Sequence, residues 1–205
     1  MRTTLALLTL AAASLGQVPV AVDGTVRRIR PLPICPQGET HALDCASGVY
    51  LKSATINLAQ FEGLTVRLLG NDVSVPCRTV VEVSSVQSNP QGVLTWSGIA
   101  VPGCRVTFNI CGPGISGYYL FVSLAAAWHP VDPGFGTILI ELPPVLLASG
   151  LHGNCTDVPV DLPLNPALIG LTPQLQGVVH AVGPIGPPFT TNSVCVPIGP
   201  GNPCR

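Results

Sequence analysis

The residues best placed to do chemistry in this chain are its eight cysteines: Cys35, Cys45, Cys77, Cys104, Cys111, Cys155, Cys195 and Cys204. None stands in a C-x-x-C pair. That excludes a thioredoxin-type redox motif and argues against the paired thiolates of a zinc ribbon. Disulfide bonding remains, and each bridge would stabilise the fold by about 2–4 kcal/mol by restricting the unfolded chain. Cys45 and Cys77 flank one apolar strand and are expected to pair first. Cys35 and Cys204 sit near the two ends and could clasp them. Cys104 with Cys111, and Cys155 with Cys195, complete the expected set.

Other reactive side chains are scattered. His41, His129, His152 and His180 show no H-x-H or H-x-x-H spacing, so no shared metal site is expected. His129 and Asp132 share one turn, where a histidine is ordinarily a solvated polar residue. Gly114-Ile115-Ser116-Gly117 approaches the nucleophile-elbow pattern, but Tyr118 replaces the final glycine, and Ser116 reads as a turn serine. The ten acidic residues are too dispersed to suggest the carboxyl pair of a glycosidase. No phosphate loop or calcium loop appears, and no cofactor is implied.

Disulfides need an oxidising compartment, and the N-terminus supplies a route to one. Arg2 precedes an apolar run over 5–15, and Ser14 and Gly16 place small residues just before Gln17. This is the layout of a signal peptide over 1–16. The run is shorter than the roughly 20 residues a membrane-spanning helix needs, and no second apolar run reaches that length. Charged residues make up 9% of the chain and the net charge is −1, so no electrostatic surplus draws nucleic acid or an anionic membrane. Hydrophobic residues make up 47%, which argues against disorder. The 22 glycines and 22 prolines are spread throughout. Long helices do not tolerate them, whereas short strands with many turns do. The fold class expected is all-β.

The chain divides into a leader over 17–34, read as a solvated linker, a first module over 35–88 and a second over 89–205, with the boundary at Ser88-Asn89-Pro90-Gln91-Gly92. The leader carries Arg27, Arg28 and Arg30, and its Asp23-Gly24 reads as a hairpin turn. In the first module, strands are expected over 48–52, 64–69 and 78–86, with a turn at Gly70-Asn71-Asp72. In the second, they are expected over 104–111, 118–127, 135–142, 158–162, 175–182 and 192–198. Turns are expected over 112–114, 129–134 and 183–188. A helical turn is expected at 165–170, with Asn165 as N-cap, Pro166 at N1 and Gly170 as C-cap.

Two groups of motifs carry a resemblance. The first comprises Glu39-Thr40-His41-Ala42-Leu43, Val49-Tyr50-Leu51-Lys52-Ser53 and Phe61-Glu62-Gly63-Leu64-Thr65-Val66. The second comprises Phe135-Gly136-Thr137-Ile138-Leu139-Ile140, the run from Leu162 to Thr172, Gln174-Leu175-Gln176-Gly177-Val178-Val179 and Phe189-Thr190-Thr191-Asn192-Ser193-Val194. The chain resembles a class of small secreted bacterial proteins with an OB-like N-terminal segment and a C-terminal β-sandwich. The resemblance implies export and a small disulfide-stapled OB-like module followed by an antiparallel sandwich. No catalytic motif comes with it.

An OB-like barrel could bind single strands through aromatics in a basic groove. Tyr50, Phe61, Lys52, Arg67 and Arg78 are available, but Glu39, Asp44, Glu62, Asp72 and Glu82 balance the charge, and Phe61 reads as core. No nucleic-acid partner is expected. The leading expectation is a secreted, non-enzymatic structural or adhesive protein, in its sharper form a self-associating one, with its own copies or the cell surface and matrix as partners. Strands 104–111 and 175–182 are the expected edges, because few charges protect them. Two alternatives compete with this reading. One is a secreted hydrolase gathering His129, Asp132 and a serine in space. The other is a carbohydrate-binding module using Trp96, Trp128, Tyr118 or Tyr119, with Trp128 foremost. Sequencing the native protein from its N-terminus is expected to start near Gln17; a start at Met1 overturns export and the oxidising compartment together.

Overall fold

A computed structural model of the chain describes residues 17–30, 36–46, 48–88, 90, 92–181 and 187–204. The expected signal peptide, Cys35 and most of the 183–188 turn lie outside them. The described chain is all-β, with two short 3₁₀ turns and no α-helix.

The first five strands close a barrel. They are β1 (Val18–Arg28), β2 (His41–Leu43), β3 (Val49–Lys52), β4 (Thr65–Asp72) and β5 (Thr79–Gln87), in the order β1-β2-β3-β5-β4. β1 pairs antiparallel with both β2 and β4, while β3 and β5 run parallel. Period-2 alternation turns Val20, Val22, Val26, Val66 and Leu68 into one core with Leu51 and Val81. Phe61 packs against that core from the 3₁₀ turn Leu58–Phe61, as expected.

The leader is therefore not a linker: residues 18–28 supply the strand that closes the barrel. Asp23-Gly24 makes no turn within it. Gly24 leaves room for the Leu43 side chain, which a Cβ there would crowd, and Asp23 faces its cross-strand neighbour Arg67. The turn expected at 70–72 is likewise strand, bent by a bulge between Leu69 and Gly70.

The rest of the chain forms three smaller sheets. β9 (Ala126–Asp132) and β10 (Gly136–Ile140) make a hairpin. β11 (Val145–His152), β8 (Ser116–Ser123), β13 (Gln174–Ala181) and β14 (Phe189–Cys195) make a four-stranded sheet in that order. β12 (Cys155–Asp161), β7 (Arg105–Cys111) and β6 (Val93–Gly98) make a three-stranded one. The last two face each other across a shared core that includes Leu94, Phe108, Ile110, Leu120, Leu175 and Val179. Asn165 accepts from the Ala167 N–H and Pro166 opens the second 3₁₀ turn, as expected. The cap at its far end is Ile169, with Gly170 one residue beyond at φ +87.

Polar side chains join these layers. The Leu94 N–H donates to Asn192 Oδ1 (2.8 Å) and Asn192 Nδ2 donates to the Leu94 carbonyl (2.9 Å). One amide thus does for β6 and β14 what a strand backbone would. Gln176 repeats the device on β10. Its Oε1 accepts from the Leu139 N–H (2.8 Å), and its Nε2 donates to the carbonyls of Thr137 and Thr191 (2.9 Å each). Thr137 in turn donates to the Ala21 carbonyl in the barrel (2.7 Å), and Trp128 Nε1 donates to Asp72 Oδ2 (2.8 Å). Arg67 donates to Asp23 (2.8 Å) and to the Pro133 carbonyl at the tip of the hairpin (2.6 Å).

The disulfides correct the expected pairing. Cys45 joins Cys195, because the turn after β2 faces β14 rather than Cys77. Ser193 donates to the Cys45 carbonyl there (3.1 Å). Cys104 and Cys111 bracket the extended β7, which at about 3.3 Å per residue holds them far beyond the roughly 7 Å that a disulfide tolerates. Cys104 instead joins Cys204, which removes Cys204 from the expected pair with Cys35. Cys111 joins Cys155, its direct partner across β7 and β12, so Cys155 does not pair with Cys195. Cys77 is also disulfide-bonded.

Two measurements follow from these layers. Asn192→Ala leaves the buried Leu94 N–H and C=O unpaired, so denaturant unfolding should register a loss of about 2–5 kcal/mol; a loss below about 0.5 kcal/mol rejects the bridging role. Burial raises the Asp23 carboxyl from 3.8 to about 7, against the pull of Arg67. The folded protein therefore holds this proton more tightly than the unfolded chain. Its stabilising contribution is complete below pH 3.8 and is lost as pH rises to about 7. Melting temperature should fall across that window, and Asp23→Asn should flatten the slope; a slope unchanged in the variant counts against the assignment.

Candidate functional site

Every exposed sheet edge presents unpaired N–H and C=O groups, and proteins commonly guard them with charge, proline or a cover. The edges of this fold differ sharply in that respect. The two strands expected to be edges are both internal: β7 lies between β12 and β6, and β13 between β8 and β14. The error has a physical source, since neither strand's own residues reveal its neighbours.

Three of the true edges are guarded over all or part of their length. β12 carries Pro159, and its Asp157 and Asp161 bond Asn109 and Arg105 across the pair (2.8 Å each). Hydrogen bonding from Arg105 holds the Asp161 carboxyl below its ordinary value. β6 is capped at Leu94 by Asn192. β14 is covered in part by the hairpin, since the Thr190 N–H donates to the Phe135 carbonyl (2.9 Å).

β11 has none of these devices. Its sequence, Val-Leu-Leu-Ala-Ser-Gly-Leu-His, contains no Asp, Glu, Lys, Arg or Pro. It follows Pro143-Pro144, which cannot continue a ladder, and among the described residues it pairs only with β8. Leu146 and Leu151 are 51% and 71% exposed. On the same face, Tyr119 lies between Phe121 (6.4 Å between ring centres) and His180 (5.8 Å). Gly117 makes this ring row possible, because a Cβ there would collide with the His180 imidazole. Behind the strand, Leu147 borders a cavity of about 350 Å³ whose lining includes Phe108, Val122, Val160, Leu162 and Ile198. An unpaired backbone, apolar flanks and an adjoining apolar cavity are what an added strand requires.

No family model matches this chain, and no curated protein matches it either.

The remaining residues singled out by sequence fall elsewhere. Ser116 is fully buried and donates to the Pro113 carbonyl (2.7 Å), which makes it a turn residue. Asp132 Oδ1 accepts from the Gly134 and Phe135 N–H groups (2.7 and 2.9 Å), capping its own turn on the hairpin while Ser116 sits in another sheet. Trp128 packs against the barrel core and Tyr118 against the second core. Arg78 lies over the Tyr50 ring (4.9 Å) and bonds Glu39 (3.0 Å), and Arg67 is buried. The barrel's aromatic and basic residues thus largely engage one another.

One relay had no signature in residue spacing. His41, 4% exposed, holds Thr40 Oγ1 on Nδ1 (2.8 Å) and Glu62 Oε1 on Nε2 (3.1 Å). It ties β2 to the turn after Phe61. Among the described residues, no three His, Cys, Asp or Glu side chains gather as a metal site, and no helix is long and apolar enough to cross a membrane.

Proposed function

We propose that this is a secreted, non-enzymatic structural or adhesive β-protein that associates with its own copies through β11. The observation that carries the reading is the contrast among edges: β11, which has no charge, no proline and no bridging amide or covering strand among the described residues, is also flanked by exposed leucines and an apolar cavity. The disulfides are compatible with an extracellular setting. The five-stranded barrel with its parallel β3–β5 pair supports the OB-like reading of the first module, and the two sheets over one core support the sandwich reading of the second. In an antiparallel pairing of two β11 strands, the four-stranded sheet would continue into that of a second copy. Its exposed leucines would lose contact with water, each fully buried leucine contributing about 1.5–3 kcal/mol.

Sedimentation of the mature protein should show concentration-dependent association. Leu146→Lys and Leu151→Lys should each weaken it while leaving the melting temperature nearly unchanged, because exposed substitutions normally fall within about 0.5 kcal/mol. A monomer at every accessible concentration defeats self-association. Turnover of esters, peptides or glycans defeats the non-enzymatic reading.

A further inference from the structure

The junction between barrel and sandwich holds a second cavity, of about 290 Å³. Its lining includes Thr25, Thr65, Thr95, Asp44, Trp96 and Asn192. Thr25 and Thr65 share one hydrogen bond (2.8 Å), and a hydroxyl can make more than one, so the pair retains capacity for a ligand. Thr95 and Asp44 are exposed and Trp96 is half-buried. The main chain adds to this lining. Leu94 directs its N–H and C=O away from β7, toward Asn192. Alternation along β6 places those of Trp96 on the same side, and on β6 the Asn192 side chain bonds Leu94.

The geometry points to a binding site for a neutral saccharide, a function independent of strand addition at β11. The lining offers donors and acceptors together, mostly on uncharged groups, which suits a ligand whose every hydroxyl both donates and accepts. Trp96 packs against the second core on one side, and its remaining accessible surface at the cavity offers an apolar contact for the C–H face of a sugar ring. Arg27 lies 3.8 Å from Asp44 at the rim and offsets its charge, so the site does not select an ion. The polar lining sets it apart from the apolar cavity behind β11. Its walls are also fixed in place: the Cys45–Cys195 disulfide, the Ser193 bond to the Cys45 carbonyl and the Asn192 bridge tie barrel to sandwich beside the opening. A preorganised cleft limits the ordering cost of binding.

The chain has two tryptophans, so Trp128→Phe leaves Trp96 as the sole indole reporter. Titration of this variant with soluble oligosaccharides of glucose, N-acetylglucosamine, galactose and mannose should give a saturable change in emission with at least one of them. Calorimetry on the unsubstituted protein should give the same affinity. Thr95→Arg crowds the opening from an exposed position and should weaken binding about tenfold or more, with the circular dichroism spectrum unchanged. Absence of saturable binding to all four series by calorimetry overturns the proposal, as does undiminished binding by a folded Thr95→Arg protein.

Discussion

Two buried carboxamides hold the layers of this protein in register. A backbone edge inside a folded chain must find partners, because an unpaired N–H or C=O away from water costs about 1–3 kcal/mol. Gln176 and Asn192 supply those partners where no strand can, reaching β10 on one side and β6 on the other. Each amide has a donor and an acceptor, and so does the stretch of strand it meets. The match holds in one register only. Sliding either sheet by one residue would present the wrong face and leave groups unpaired.

The distribution of polarity follows from that constraint. A chain with 9% charged residues leaves leucine, isoleucine and valine on its surface. Its contact layer, by contrast, contains Asp23, Arg67, Thr137, Gln176, Thr191, Asn192 and Ser193, all buried. Apolar contact alone would be indifferent to orientation. Hydrogen bonds and one buried ion pair make the docking of hairpin, barrel and the two remaining sheets directional, although the pair itself is weak grounds for stability. Asp23 Oδ1 illustrates the cost, since it has no hydrogen-bond partner among the described residues.

The class of fold was legible because glycine, proline and alternating apolar residues act locally. Strands β3, β4, β5, β7, β10, β12, β13 and β14 all overlap stretches that alternation or β-branched residues marked, and Asn165-Pro166 announced its own turn. What failed was non-local. β1 looked like a linker because Asp-Gly imitates a turn, and only the proximity of Arg67 and Leu43 explains both residues. β11 sat unnoticed behind Pro143-Pro144, although it is the strand on which the functional reading rests. The cysteines were matched by nearness in sequence, which a strand between Cys104 and Cys111 makes unworkable. The Thr40–His41–Glu62 relay and the saccharide cleft draw residues from distant elements, and no local pattern announces either.

The order of the disulfides along the chain bears on how it is made. The Cys45–Cys195 and Cys104–Cys204 loops interleave, and the Cys111–Cys155 loop is nested within both. A chain threaded through a membrane N-terminus first exposes Cys45 and Cys77 together while Cys195 is still behind, and Cys104 beside Cys111 well before Cys204. The earliest encounters therefore favour bonds absent from the finished molecule. Delivery into a compartment that only oxidises would accumulate them. Oxidation that runs ahead of Cys195 and Cys204 would therefore favour bonds that only thiol–disulfide exchange can reopen.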